Sequence, residues 1–118
     1  MFQFQYGGRA FQITVDEPHF DASNADRFLE EFDSHCPDVI GSVDIDFTSV
    51  EVIDSMGVGA LLNIRKRIRP PTPLALKTTC PSVLGIIRTM RLHRVFELED
   101  GLLARLADTR YLSRGLGV

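Results

Sequence analysis

A two-residue rhythm runs through four segments of this sequence and leaves one side of each polar. Phe2, Phe4 and Tyr6 alternate with Gln3 and Gln5, and Phe11, Ile13 and Val15 with Gln12 and Thr14. Val43, Ile45 and Phe47 alternate with Asp44 and Asp46, and Leu74 and Leu76 with Ala75 and Lys77. Successive side chains on a strand point to opposite faces, so each run has an apolar face and a polar one. Parallel strands covered by helices on both faces read as continuous apolar runs instead. The expectation is an α/β domain whose helices pack mainly on one face of the sheet.

Helical periods separate the strands. The first runs from about Ser23 to His35, with Asp21 or Ser23 as cap and Ala25, Phe28, Leu29 and Phe32 as its stripe. Pro37 follows its end. A second runs from about Ser55 to Ile68, with Val58, Leu61, Leu62, Arg65 and Ile68 on one side. Its last turns carry Arg65, Lys66, Arg67 and Arg69, which suits a helix C-terminus. A third opens at Pro81, with Val83, Leu84, Ile87 and Met90 as its stripe. A fourth is expected around Leu102 to Tyr111, before a frayed end. Gly7-Gly8 reads as a hairpin turn, Pro70-Pro71-Thr72-Pro73 as a loop, and Val95 to Leu98 as a short fifth strand. A hairpin followed by right-handed helical crossovers makes a mixed sheet of four to five strands.

With 118 residues, one domain over 1–118 is the expectation. A net charge of −3 gives no general electrostatic reason to bind nucleic acid or an anionic membrane. No stretch approaches the ~18 apolar residues of a membrane span, so no direct membrane insertion is expected. Cys36 and Cys80 stand in no ligand spacing and read as reduced thiols. With no secretory signal pattern at the start, the expected location is cytoplasmic.

The residues most worth asking about are Ile53 to Gly59, I-D-S-M-G-V-G. A nucleophile elbow needs G-x-S-x-G, and the first glycine is missing. A phosphate loop needs G-x-x-x-x-G-K-[ST], which is absent, and Gly57-Val58-Gly59 lacks the third glycine of a dinucleotide loop. His19, His35 and His93 are scattered and offer no metal-ligand spacing. Asp44 and Asp46 share a strand face, which reads as the polar side of a one-sided sheet. No enzyme, cofactor or metal is therefore expected. A helix cap and a phosphorylation switch remain for Ser55, and they are compatible. The exposed N–H groups of a helix start are capped by a serine and also receive a phosphoryl group well.

The run Val43 to Leu62, V-D-I-D-F-T-S-V-E-V-I-D-S-M-G-V-G-A-L-L, resembles the signature of STAS domains. Among these it is most similar to the bacterial anti-sigma factor antagonists. Phe20-Asp21-Ala22-Ser23-Asn24-Ala25, Cys80-Pro81-Ser82-Val83 and Leu92-His93-Arg94-Val95-Phe96 match further family segments in the right order. The resemblance covers about 10–98 and implies a STAS fold. It also implies a partner-switching role. A GHKL-type anti-sigma factor kinase binds the unphosphorylated protein and phosphorylates Ser55, the phosphoprotein lets go, and a PP2C-type phosphatase reverses the step. It places Asp21, Asn24, Thr48, Asp54, Met56, Gly57 and Val58 at the partner surface, with Asp54 capping the helix or orienting the hydroxyl. Met56 stands where the family often has a second serine, and Glu17-Pro18-His19-Phe20 replaces the family's Gly-Glu. A STAS scaffold subunit of a lipid-transport or stress-sensing complex, never phosphorylated, is the alternative. A third is nucleotide binding by the domain itself. Homodimerisation is left open.

Overall fold

The alternating segments become strands with the expected faces. In the computed structural model, which describes residues 1–92 and 96–100, β1 (Phe2–Gly7) and β2 (Ala10–Val15) form an antiparallel hairpin. A two-residue strand β3 (His19–Phe20) follows, then α1 (Ala25–His35), β4 (Ser42–Asp46) and a second two-residue strand β5 (Val52–Ile53). The chain continues through α2 (Ser55–Arg67), β6 (Leu74–Thr78), α3 (Pro81–Thr89) and β7 (Glu97–Asp100). The main sheet has the order β1-β2-β4-β6-β7, parallel from β2 onward, so it is the mixed sheet expected. β3 and β5 pair in parallel as a separate ribbon.

Phe11, Ile13, Val15, Val43, Ile45, Phe47, Leu74 and Leu76 are buried under the helices. The opposite face presents Gln12, Thr14, Asp44, Asp46, Ala75 and Lys77 around an open groove of about 350 Å³. Asp44 and Asp46 therefore line an open polar sheet face, and no group of three or more potential metal ligands forms among the described residues. Phe28 joins the two layers: its ring meets Phe2 and Phe20 edge-on at 5.2 and 5.1 Å.

The structure corrects several boundaries. The hairpin turn is Gly8-Arg9, with φ of +58° and +68°, not Gly7-Gly8. A two-residue hairpin loop needs positive φ at both positions, and Arg9 supplies the second. The N-cap position of α1 is Asn24, and neither Asp21 nor Ser23 fills it. The buried side of α2 is Gly57, Val58, Ala60, Leu61 and Ile64. Leu62, expected on that side, is 39 % exposed, because Ile64 takes the inward place on the turn. Met90 lies at the C-cap of α3 and is exposed. The fifth strand runs Glu97–Asp100 rather than from Val95. The expected helix over Leu102 to Tyr111 lies outside the described residues.

Candidate functional site

β5 runs straight into α2, and the turn between them carries Asp54 and Ser55. Asp54 is the N-cap, in extended backbone, and its Oδ1 accepts a hydrogen bond from the Gly57 N–H at 3.0 Å. Ser55 is the first helical residue, so the capping role expected of it passes to its neighbour. The Ser55 side chain is exposed, and its hydroxyl has no hydrogen-bond partner among the described residues. Met56 beside it is 50 % exposed, and Val52, three residues earlier, is 57 % exposed.

The second wall is the loop between β3 and α1. Asp54 Oδ2 accepts from the Ala22 N–H at 3.3 Å, so one carboxylate ties this loop to the start of α2. The loop is braced from within. Asn24, only 3 % exposed, accepts from the Asp21 N–H at 2.9 Å and donates to the His19 carbonyl at 3.0 Å. Asp21 Oδ1 accepts from the Ser23 N–H at 2.9 Å and from the Ser23 hydroxyl at 2.6 Å. Those two bonds hold the Asp21 carboxyl below its ordinary value. The Pro18 carbonyl accepts from the Glu51 and Val52 N–H groups at 2.8 and 3.2 Å. The unusual Glu17-Pro18-His19-Phe20 segment thereby anchors β5.

Gly57 is where the two walls touch. A Cβ there would lie 2.2 Å from the Phe20 carbonyl oxygen and 2.9 Å from Ile53 Cγ1. Only glycine allows the helix to seat this closely on the β3–β5 ribbon.

The structure thus ties the Asp21–Asn24 loop to the Asp54–Ser55 turn through the Asp54 carboxylate, with Met56 and Gly57 in the helix start that follows. Thr48 is exposed in the turn after β4, where its N–H donates to Asp46 Oδ1 at 2.9 Å; no hydrogen bond among the described residues joins it to this group. Val58, expected at the partner surface, is 4 % exposed and packs in the core. Asn24 and Gly57 are also buried, so they shape the surface from beneath it. Two contributors escaped the sequence. Val52 stands among the apolar residues just before the helix and is not singled out there, and the Ala22 N–H is a backbone group with no sequence signal.

Known proteins of this shape include a crystal structure of an anti-sigma factor antagonist from Mycobacterium paratuberculosis, with a TM-score of 0.77 at 18% identity, covering 93% of each chain. Bacillus SpoIIAA, a cell fate determinant solved in its phosphorylated form, aligns at a TM-score of 0.58 and 16% identity, over 92% of this chain and 99% of that one. A sulfate transporter family protein from Wolinella succinogenes aligns at 0.67 and 20% identity, over 92% of this chain and 90% of that one. No curated protein matches significantly. The STAS domain model matches residues 4–104, a span that holds all of the sheet but the first two residues of β1, with the β3–β5 ribbon and the Asp54–Ser55 turn. The chain belongs to the STAS domain family.

Proposed function

We propose that the protein is a partner-switching regulator controlled by phosphorylation of Ser55. Its unmodified surface, built from Ser55, Met56 and Val52 against the Asp21–Asn24 loop, binds a GHKL-type anti-sigma factor kinase. That binding frees a sigma factor or another regulator that the kinase restrains. The kinase then uses ATP against its own ligand. Ser55 Oγ attacks the γ-phosphorus, the bond to the ADP oxygen breaks, and the hydroxyl proton passes to a base of the kinase. Phosphorylation adds about −1.5 to −2 charge at the centre of the surface. Asp54 already lies alongside, so the docking face becomes repulsive. The free N–H groups of the first α2 turn accommodate the new phosphate without unfolding the helix. A PP2C-type phosphatase restores the hydroxyl.

The observation that carries this reading is the Ser55 hydroxyl itself: exposed, at a helix start, and relieved of capping by Asp54. The likeness to a protein solved in a phosphorylated form supports it at the level of fold. The test is incubation with ATP and the cognate kinase. The wild-type chain should take up one phosphoryl group, and Ser55→Ala should take up none. Label persisting on the Ala variant would remove the assignment. The likeness to a sulfate transporter family protein favours a second reading, a transporter-linked scaffold. Stable co-purification with a membrane permease, with no phospho-form in cells, would select it.

A further inference from the structure

Among the described residues the hairpin leaves one edge of the main sheet without a pairing strand, and its chemistry suits a second copy of the same strand. β1 is the terminal strand in the order β1-β2-β4-β6-β7. Met1 and Asp16 exchange both backbone hydrogen bonds, at 2.8 and 2.9 Å. In an antiparallel ladder such pairs alternate, so in the register Gln3↔Thr14, Gln5↔Gln12 and Gly7↔Ala10 the β1 residues also bond inward. The backbone N–H and C=O groups of Phe2, Phe4 and Tyr6 therefore point outward, where no strand pairs with them among the described residues.

Sheet edges are normally blunted by charged residues, prolines or bulges. The stretch F-Q-F-Q-Y-G has no charge and no proline, and its pairing with β2 is continuous from Phe2 to Gly7.

We propose that the outer edge of β1 is a self-association surface on which two copies pair antiparallel about a two-fold axis at Phe4. With Phe4 opposite Phe4 of the second copy, Phe2 falls opposite Tyr6 and Gln3 opposite Gln5. All three outward residues then meet outward residues, which makes about six backbone hydrogen bonds across the axis. The axis stands perpendicular to the sheet, so faces match. Aromatic rings meet on the helix side and glutamine amides on the open side. The row of α1 that flanks this edge sets no single-sign barrier. Arg27 lies 4.8 Å over the Phe2 ring and 3.7 Å from Glu31, and His35 stacks on Phe4 at 4.7 Å. An edge of six residues is small for an interface, so the dimer belongs to the weak class. This inference is independent of the role of Ser55.

The test is sedimentation velocity on the full chain from about 5 to 500 µM, a range that brackets weak complexes. Gln3 and Gln5 are exposed, so charges there leave the core untouched. Gln3→Glu with Gln5→Glu puts like charges opposite each other twice across the axis. The dissociation constant should rise roughly tenfold. Gln3→Glu with Gln5→Lys makes both pairs opposite in sign and should restore or strengthen the dimer. Circular dichroism checks the fold of each variant. Amide exchange on the wild type gives a reading that needs no variant: the Phe4 and Tyr6 N–H groups should slow only at high concentration. A monomer throughout the range overturns the proposal. So does a dimer indifferent to the charge pattern, or one in which those amides stay fast.

Discussion

Substituting Gly57 with alanine separates two opposing effects that the structure assigns to one methyl group. In an isolated helix the change is favourable by up to about 1 kcal/mol, since glycine is the weaker helix former. Here the new Cβ would stand 2.2 Å from the Phe20 carbonyl oxygen, more than 1 Å inside ordinary contact. That oxygen belongs to backbone, in a strand whose register with β5 pairs Phe20 with Ile53. It cannot swing aside as a side-chain tip would. Overpacking of this kind costs roughly 1–3 kcal/mol, more when backbone must move. The net expectation is a loss of about 1–2 kcal/mol, or ~4–8 °C in melting temperature for a domain of this size. Gly59 in the same helix is the control. A Cβ there meets nothing within 4 Å, so Gly59→Ala should gain about 0.5–1 kcal/mol. Urea unfolding followed by circular dichroism measures both. If Gly57→Ala is as stable as the wild type, the close seating of α2 on the β3–β5 ribbon is wrong.

Three further outcomes follow from the same site and its surroundings. Asp54→Ala should cost about 1 kcal/mol through the lost cap, while Asp54→Asn, which keeps one acceptor oxygen, should cost less; the exposed Ala22 N–H loses its bond to the carboxylate, so its amide exchange should quicken in both. The Asp21 carboxyl sits below its ordinary value of 3.8, through its bonds to the Ser23 hydroxyl and backbone N–H. A depressed acid contributes stability above its unfolded value that is lost as pH falls through the folded one. The Ser23 amide resonance should therefore titrate with a midpoint below 3.8, and a midpoint above it would contradict the bond. Burial, then the nearby Asp33 and Asp38 charges, pushes the Cys36 thiol up. Iodoacetamide near neutral pH should label Cys36 more slowly in the folded chain than in urea, and equal rates would refute this.

How much of this was legible in the sequence depended on length and period. The strands of the main sheet were readable because five or six alternating residues set a phase, as in Ser42–Asp46. β3 and β5 were not, since two residues have no period. Yet that ribbon positions the Ser55 turn. The α2 stripe was misassigned at Leu62 because glycines at 57 and 59 dilute the apolar pattern, and the helix turns by where Gly57 can approach the ribbon. The motif located Ser55, while the division of labour with Asp54 needed backbone angles: extended φ and ψ at Asp54 make it the cap. The resemblance places Val58 at the partner surface, but three residues on from Ser55 the helix turns its side chain into the core. The bond from the Ala22 N–H to Asp54 spans 32 residues and had no local signal at all.

In the proposed switch, one phosphoryl group on Ser55 decides whether the partner stays. Isothermal calorimetry of the cognate kinase against the unmodified chain, the Ser55→Ala variant and the chain phosphorylated on Ser55 tests it most directly. The first two should bind alike. The phosphorylated form should bind about 100-fold more weakly, a loss of about 2.7 kcal/mol from like-charge repulsion in a desolvated surface. Equal affinity of the phosphorylated and unmodified chains would contradict it.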